Sequence, residues 1–419
     1  MNDINNNNNG ITHKVLIIGG GAAGLMAAAH SDADSTVILE KNSMTGKKLL
    51  ITGKGRCNVT NDCDVKTLVA NVPVNGRFLY SAFSKFSSRD LMDFFQSVGV
   101  DLKTERGNRV FPASDRAADI AFALKKQALS RGVEIVKGRA VNLIIENNAV
   151  IGASLSDGSK IYANSVIIAT GGASYPTTGS SGDGYILAKQ AGHTVTAISP
   201  SLVPLETVEA WTGKLTGLAL KNVAVNVYDN ESQSVIYKDF GEMLFTHFGV
   251  SGPIILSASS HLRSMSEGKH RYTLYIDLKP ALDKKNLDAR ILRDFNENPN
   301  RDFANALGKL LPRAMAAVVV ELSGIDKDIK IHSITKEMRQ SLVTLLKAVP
   351  LTVKAYRPIN EAIITSGGID VGEINPSTME SKLVKGLYFA GEVIDADAYT
   401  GGFNLQIAFS TGYVAGTNA

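Results

Sequence analysis

Four apolar residues run unbroken from 15 to 18, VLII, and give way to three glycines and then to AAGLMAAAH, where small and apolar residues recur at helical spacing. That order predicts a short buried strand, a glycine turn and a helix running through Ala29. STVILEK, residues 35–41, predicts a second buried strand that ends at Glu40. Over 133–172 several short alternating runs are joined at Asn147-Asn148 and Asp157-Gly158, both hairpin turn pairs, before SVIIATGG restores a buried strand. The rhythm changes between 196 and 349. LKNVAVNVYDNESQSVIYKDFGEMLFTHFG and HRYTLYIDL alternate, as the strands of a small antiparallel barrel would. ALDKKNLDARILRDF, RDFANALGKLLPRAMAAVVVEL and ITKEMRQSLVTLLKAV then show helical spacing. GLYFAGEV supplies a last short strand, and a glycine-dotted helix opens after Gly401-Gly402.

Composition narrows the class without naming a chemistry. With 419 residues, 44% hydrophobic and 20% charged, the chain reads as a globular protein of two or three folding units. The net charge of +4 comes from 44 basic and 40 acidic residues spread along the chain, so no electrostatic footprint for nucleic acid or an acidic membrane stands out. The charged stretches RDFNENPNR and ALKKQALSR read as solvated helix faces. No run of about 18 apolar residues predicts a membrane span. Cys57 and Cys63 are too few for a disulfide framework, and their spacing lacks the partners a zinc site needs. No metal is therefore expected, and a reducing, cytoplasmic setting is. MNDINNNNNG predicts a disordered tail over 1–12.

The first chemistry lies in the glycine turn. Gly19-x-Gly21-x-x-Gly24 stands between strand and helix, where Gly19 permits the tight turn, Gly21 lets backbone approach a pyrophosphate, and Gly24 lets helix and strand pack closely. The helix N-terminus adds unpaired N–H groups and a positive dipole end. Glu40, at the end of the second strand, is placed to accept hydrogen bonds from ribose hydroxyls and to repel a 2′-phosphate, which favours FAD or NAD over NADP. The meander of 133–172, used as a crossover, is not the helix-only alternation of a simple NAD dehydrogenase. It resembles the glutathione-reductase-like FAD fold, an α/β Rossmann architecture.

GKGRCNVTN, THFGVSGPIIL, TSGGID and GLYFAGEVIDADAYTGGFNLQ carry a closer likeness. They resemble the bacterial flavoproteins typed by YhiN and BaiN, labelled aminoacetone-oxidase-like or NAD(P)/FAD-dependent oxidoreductases, from about Lys14 onward. The resemblance implies an FAD-binding domain over 13–195 and 350–419, interrupted by an inserted barrel and helical cap domain over 196–349 that shapes a substrate cavity. It implies cofactor contacts from Gly19, Gly21, Ala22, Ala23 and Gly24 at the pyrophosphate, and from Glu40, Lys41 and Ala140 at the adenosine end. Thr52, Gly53, Gly55, Arg56 and Asn58 would line the flavin, with Thr170 and Gly171 at a strand end. Gly391 and Glu392, then Gly402, Asn404 and Leu405, would meet the ribityl chain and the ring. Lys54 departs from the family, standing where a second glycine is frequent.

The expected function is an FAD-dependent oxidoreductase moving hydride through flavin N5 between NADH or NADPH and a small organic substrate, with a C=C bond reductase as one branch. NAD(P)H would dock transiently, since no second Gly-x-Gly-x-x-Gly follows a strand; GSSGDG, residues 179–184, has none running into it. A flavin oxidase acting on a small amine, and a flavin-binding protein with a regulatory or RNA-associated role, are the alternatives. Catalytic candidates are Arg56, for charge near the ring, Tyr175 and Tyr399, for proton donation, and His247, for a substrate-side role. Ser251 is expected to cap the helix that begins near Pro253, and Cys57 to fill space.

Overall fold

The run VLII is unbroken because its strand is covered on both faces. In this computed structural model, which describes residues 13–31, 35–266 and 268–419, Val15, Leu16 and Ile17 are wholly buried. The expected tail over 1–12 lies outside the described residues. Strand His13–Ile18 pairs in parallel with Thr36–Glu40 on one side and Lys160–Ile168 on the other. Thr36–Glu40 pairs onward with Glu134–Lys137, and Lys160–Ile168 with Leu387–Phe389, so the parallel sheet is assembled from widely separated parts of the chain. The first half of Lys160–Ile168 belongs also to the antiparallel meander with Ala149–Leu155 and Ala140–Glu146. The turn between those last two holds Asn147 and Asn148 at φ 49° and 59°, the left-handed pair that a two-residue hairpin of this hand requires. The expected Rossmann-type domain with a meander crossover is therefore what the chain forms.

Two helices set the geometry in front of this sheet. Helix Ala22–His30 follows the glycine turn, and helix Phe403–Asn418 lies against it through Gly412 and Gly416, one turn apart. A Cβ on Gly412 would stand 2.4 Å from the carbonyl oxygen of Ala23, and one on Gly416 2.3 Å from that of Ala27. Backbone touches backbone there, and only glycine fits.

The chain divides into two compact units, Met1–Ser201 with Ile359–Ala419, and Leu202–Pro358. The second is a closed antiparallel barrel in the order Leu205–Thr207, Gly249–Ser251, Ser234–Thr246, Ala219–Asp229, Tyr272–Asp277 and Val349–Tyr356. Helices Lys284–Asn296, Arg313–Leu322 and Lys336–Lys347 lie between its last two strands in sequence. Both limits differ from the expected 196 and 349. Ser199–Ser201 pairs with Ile364–Ser366 inside the first unit, and Val349–Tyr356 is needed to close the barrel between Tyr272–Asp277 and Leu205–Thr207. The Asp397 carboxylate accepts from Ser201 Oγ at 2.9 Å and Ser366 Oγ at 3.0 Å, fastening both short strands. The helical spacing of 301–322 also overreached: only Arg313–Leu322 is an α-helix, after one turn at Phe303–Asn305, because Gly308 and Pro312 interrupt the run. Among the described residues no helix is long and apolar enough to cross a membrane.

Candidate cofactor site

The three glycines of the turn are not equivalent. Gly19 sits at φ +105°, and a Cβ there would lie 2.6 Å from the Ala169 carbonyl oxygen; on Gly24 it would lie 1.9 Å from that of Gly19. Gly21, at φ −82°, has no atom within 4 Å of where its Cβ would be. Space therefore opens at the N-terminus of helix Ala22–His30, whose first N–H groups have no intrahelical acceptor, the first such bond being Leu25 N–H to Gly21 O at 2.9 Å. Open space, backbone donors and a positive dipole end suit a pyrophosphate.

At the end of strand Thr36–Glu40, Glu40 is buried and partly engaged. Its Oε2 accepts the Gly20 N–H at 2.8 Å, and its Oε1 accepts the backbone and side-chain N–H of Asn42, each at 2.8 Å. A carboxylate has about four acceptor sites, so one remains for a ligand. Lys41 was expected to reach the adenosine, but its Nζ lies 2.7 Å from Asp183 Oδ2, and Arg139 Nη2 lies 2.8 Å from Asp183 Oδ1. Burial pushes the Asp183 carboxyl up, yet Arg139 and Lys41 outweigh it and hold the group below its usual value. Ala140, next to Arg139, is buried at the start of the meander, and Gly138 N–H donates to Glu40 O at 3.0 Å, so these segments adjoin. Thr170 packs under helix Asp183–Gln190, since a Cβ on Gly184 would lie 2.1 Å from its hydroxyl, and Gly171 turns at φ +71°.

The loop of 52–58 is governed by its backbone. Gly53, Lys54, Gly55 and Cys57 all have left-handed φ, between 56° and 85°. A Cβ on Gly53 would lie 3.0 Å from the Asn58 backbone nitrogen, whereas nothing lies nearer than 3.9 Å to one on Gly55, where the left-handed φ is the requirement within the protein. Lys54 accepts the same conformation with a side chain. Thr52 folds back, its hydroxyl donating to Leu49 O at 2.6 Å. Arg56 does not stand ready for the flavin. Its Nε donates to Asp115 at 2.7 Å, its terminal nitrogens to Glu105 and Asp115, and its guanidinium lies 4.1 Å over the Phe111 ring. Glu105 and then Asp115 raise its already high pKa. Cys57 is buried, and burial, only partly offset by the Thr52 hydroxyl, pushes its thiol up to about 12. Asn58 Oδ1 is different: it is one of three side-chain atoms among the described residues that are buried with no partner, the others being Tyr185 Oη and Thr246 Oγ1.

From the far end of the chain, Gly391 turns at φ +79° with its N–H on Thr411 Oγ1 at 2.9 Å, and a Cβ there would lie 2.9 Å from Ala23 Cβ. This brings the acid after it beside the glycine-turn helix. Glu392 Oε2 accepts from Lys48 Nζ at 2.7 Å, while Oε1 accepts the Thr365 N–H at 2.8 Å and Ser174 Oγ at 2.9 Å. Burial would raise this carboxyl, but Lys48, helped by those two donors, holds it below its usual value. Lys48, Ser174 and Thr365 escaped the sequence reading; the signal for them was the need of a half-buried acid at 392 for a counter-charge. Gly402 begins helix Phe403–Asn418 at φ +100°, where a Cβ would lie 2.3 Å from the Thr60 backbone. Asn404 was expected to meet the flavin, but its side chain latches the preceding loop, accepting Ala398 N–H at 2.9 Å and donating to Ala398 O and Tyr399 O. Leu405 and the backbone of Asn404 remain in that helix's first turn.

The other candidates are scattered. Tyr175 is a turn residue at φ +52° whose carbonyl accepts the Thr178 N–H and hydroxyl. Tyr399 packs against the core of the first unit. His247 belongs to the second unit, at the hairpin turn between Ser234–Thr246 and Gly249–Ser251, edge-on to Phe248. Ser251 lies in a strand, and helix Pro253–Ser259 starts at Gly252 with no side-chain cap. Among the described residues no group of three His, Cys, Asp or Glu could hold a metal ion. An open glycine cradle, two helix N-termini and a buried amide oxygen wanting a donor together fit a flavin dinucleotide.

Comparison with known proteins agrees. The family model described as HI0933-like protein Rossmann domain matches residues 13–418. The chain is 32% identical over 397 residues to the 3-dehydro-bile acid delta(4,6)-reductase of Clostridium scindens, covering 94% of this chain and 95% of that one. It is 30% identical over 384 residues to the ribosomal RNA dihydrouridine synthase of Haemophilus influenzae, covering 90% and 91%. Among solved structures, the 3-ketosteroid delta1-dehydrogenase of Sterolibacterium denitrificans superposes with a TM-score of 0.51 at 14% identity, covering 97% of this chain and 99% of the other, a likeness of fold.

Proposed function

The chain belongs to the HI0933-like Rossmann family, and on that premise we propose that it is an FAD-dependent reductase of carbon–carbon double bonds conjugated to a carbonyl. That it is a flavin oxidoreductase rests on the family and on a reductase relative aligned along almost the whole chain. The substrate class rests on shared chemistry. The name of the C. scindens relative describes double bonds conjugated to a 3-keto group, and that of the H. influenzae relative a uracil ring whose double bond is conjugated to a carbonyl. In both, hydride adds to the electron-poor carbon and a proton to its neighbour.

Bound FAD would supply hydride transfer at N5. Of the chain's own groups, the turn at Gly21 with Ala22 and Ala23 would hold the pyrophosphate, Glu40 the ribose, Glu392 the ribityl chain and Asn58 a polar edge of the ring. The first-turn N–H groups of Phe403–Asn418 would oppose negative charge on the reduced ring. NADH or NADPH is the reductant this reading takes, and a small unsaturated carbonyl compound its substrate. The two free thiols support a reducing, cytoplasmic setting.

The observation that carries the reading is the 32% identity to a C=C reductase across 94% of the chain. A second reading, the same chemistry on a uracil of ribosomal RNA, is supported by the H. influenzae relative, so nucleic acid stays open as a substrate. The test is anaerobic: the flavin is reduced with NADH or NADPH, then mixed with enones, unsaturated acids, amine-derived imines or unmodified ribosomal RNA. Rapid reoxidation by enones supports the first reading and by RNA the second. Reoxidation by imines or air alone would sink both.

A further inference from the structure

We propose that Lys48 is a positioning residue for flavin binding, forming with Glu392 a clamp for one hydroxyl of the ribityl chain; this rests on the FAD reading given above. Lys48 and Glu392 are 344 residues apart in sequence, and Lys48 and Ser174 are 126 apart, yet Lys48 Nζ lies 2.7 Å from Glu392 Oε2 and 2.8 Å from Ser174 Oγ. Ser174 is itself fixed, because its N–H and that of Ala173 both donate to Thr365 Oγ1, at 3.0 and 2.8 Å. Thr365 N–H then donates to Glu392 Oε1. Three segments thus converge on one carboxylate, and Lys48 alone among its bonded partners brings positive charge.

The inventory of the pair points to its ligand. Glu392 Oε1 has two donors and Oε2 one, so one acceptor site is unengaged, on the oxygen that faces Lys48. An ammonium has three N–H groups, and two of those of Lys48 are accounted for by Glu392 and Ser174. One donor and one acceptor side by side match a hydroxyl, which both donates and accepts. The side chains of Lys48 and Glu392 are 24% and 20% exposed, enough for a ligand to reach them and too little for water alone to solvate a lone carboxylate. The ribityl chain is the polyol part of FAD, and Glu392 follows Gly391, whose close approach to Ala23 places this acid beside the pyrophosphate turn.

The test titrates the flavin-free full chain with FAD, following quenching of FAD fluorescence, for wild type, Lys48→Met, Glu392→Gln and the double variant. Lys48→Met is expected to weaken binding at least about tenfold, Glu392→Gln similarly, and the double variant no more than about twofold beyond the weaker single. The double variant leaves no charge unpaired, so it and Glu392→Gln keep the comparison alive should Lys48→Met fail to fold. FAD analogues lacking the 2′-, 3′- or 4′-hydroxyl of the ribityl chain supply a readout that a merely structural lysine would not move: for one of them the penalty of Lys48→Met should vanish. Penalties that add in full with Glu392→Gln, or persist for all three analogues, would overturn the clamp. Equal FAD binding by wild type and Lys48→Met overturns it alone, whereas wild type that binds no FAD overturns the flavin reading and the clamp together.

Discussion

Substituting alanine at Gly21 and at Gly24 should break two different things. At Gly24 the new Cβ would stand 1.9 Å from the Gly19 carbonyl oxygen, and to reach the 3.4 Å at which ordinary contact begins, turn and helix must part by 1.5 Å. The opposing atom is backbone and cannot swing aside, so the cost lies near the top of the overpacking range, about 3 kcal/mol. Alanine's better helix propensity returns about 1 kcal/mol. The remaining loss of about 2 kcal/mol lowers the midpoint of thermal unfolding by about 4–8 °C for a unit of this size. At Gly21 nothing lies within 4 Å and φ is −82°, so alanine loses only its poorer N-cap quality, about 0.5 kcal/mol, or about 1–2 °C. Its methyl group would occupy the cradle. Removing one charge-assisted hydrogen bond to the pyrophosphate, about 1.5–3 kcal/mol, weakens FAD binding by about 10- to 150-fold. Thermal unfolding of the flavin-free proteins reads the first effect and fluorescence titration the second. The reasoning fails if Gly21→Ala binds FAD like wild type, or if it destabilises the flavin-free chain as much as Gly24→Ala does.

Three further expectations follow from side-chain partners. Arg56→Met should leave FAD affinity and the flavin spectrum unchanged, because the guanidinium is engaged by Glu105 and Asp115; a loss of affinity of about tenfold would return Arg56 to the cofactor site. With Cys57 pushed up to about 12 and Cys63 to about 11 by burial, neither thiol should react quickly with a disulfide reagent at pH 8 until the chain is unfolded. Fast labelling of native Cys57 would contradict this. His193 is buried between Glu373, at 3.0 Å, and Ser381, at 2.7 Å, and burial holds its imidazole below the ordinary range despite Glu373. The fold binds its neutral form, so the stability it contributes is complete above the ordinary imidazole value and is lost as pH falls below about 6.5. Unfolding midpoints between pH 7.5 and 5 should fall less steeply for His193→Gln, the remaining slope including half-buried His261, whose imidazole desolvation also lowers. An unchanged slope would rule His193 out as a source.

What the sequence disclosed was mostly local. The glycine turn, the strand ending at Glu40 and the Asn147-Asn148 hairpin each follow from backbone requirements within a few residues, and all are present in the fold. The boundary after the barrel was not local. VPLTVKAY has the alternation of a strand, but nothing in it says that it closes a barrel with Leu205–Thr207 instead of starting the return to the first unit. The same limit governs the site. Arg56 looked like a ligand for charge because Glu105 and Asp115 reach it only through folding, and Asn404 looked free because its latch on Ala398 depends on a tight turn. Lys48 passed unremarked beside Lys47, since its partners come from positions 174 and 392.

The contact of Gly412 and Gly416 with Ala23 and Ala27 also imposes an order on synthesis. A growing chain makes the glycine turn first, yet the helix behind that turn lacks its closest neighbour until residues 403–418 have left the ribosome. The barrel unit, continuous from Leu202 to Pro358, has all its strands before then. Domains generally fold as units during translation, so the inserted unit is complete while the unit that contains it waits in two pieces. A flavin held as proposed above, by the glycine turn and by residues 391–405 together, would therefore load late, on a chain whose separated segments have already met.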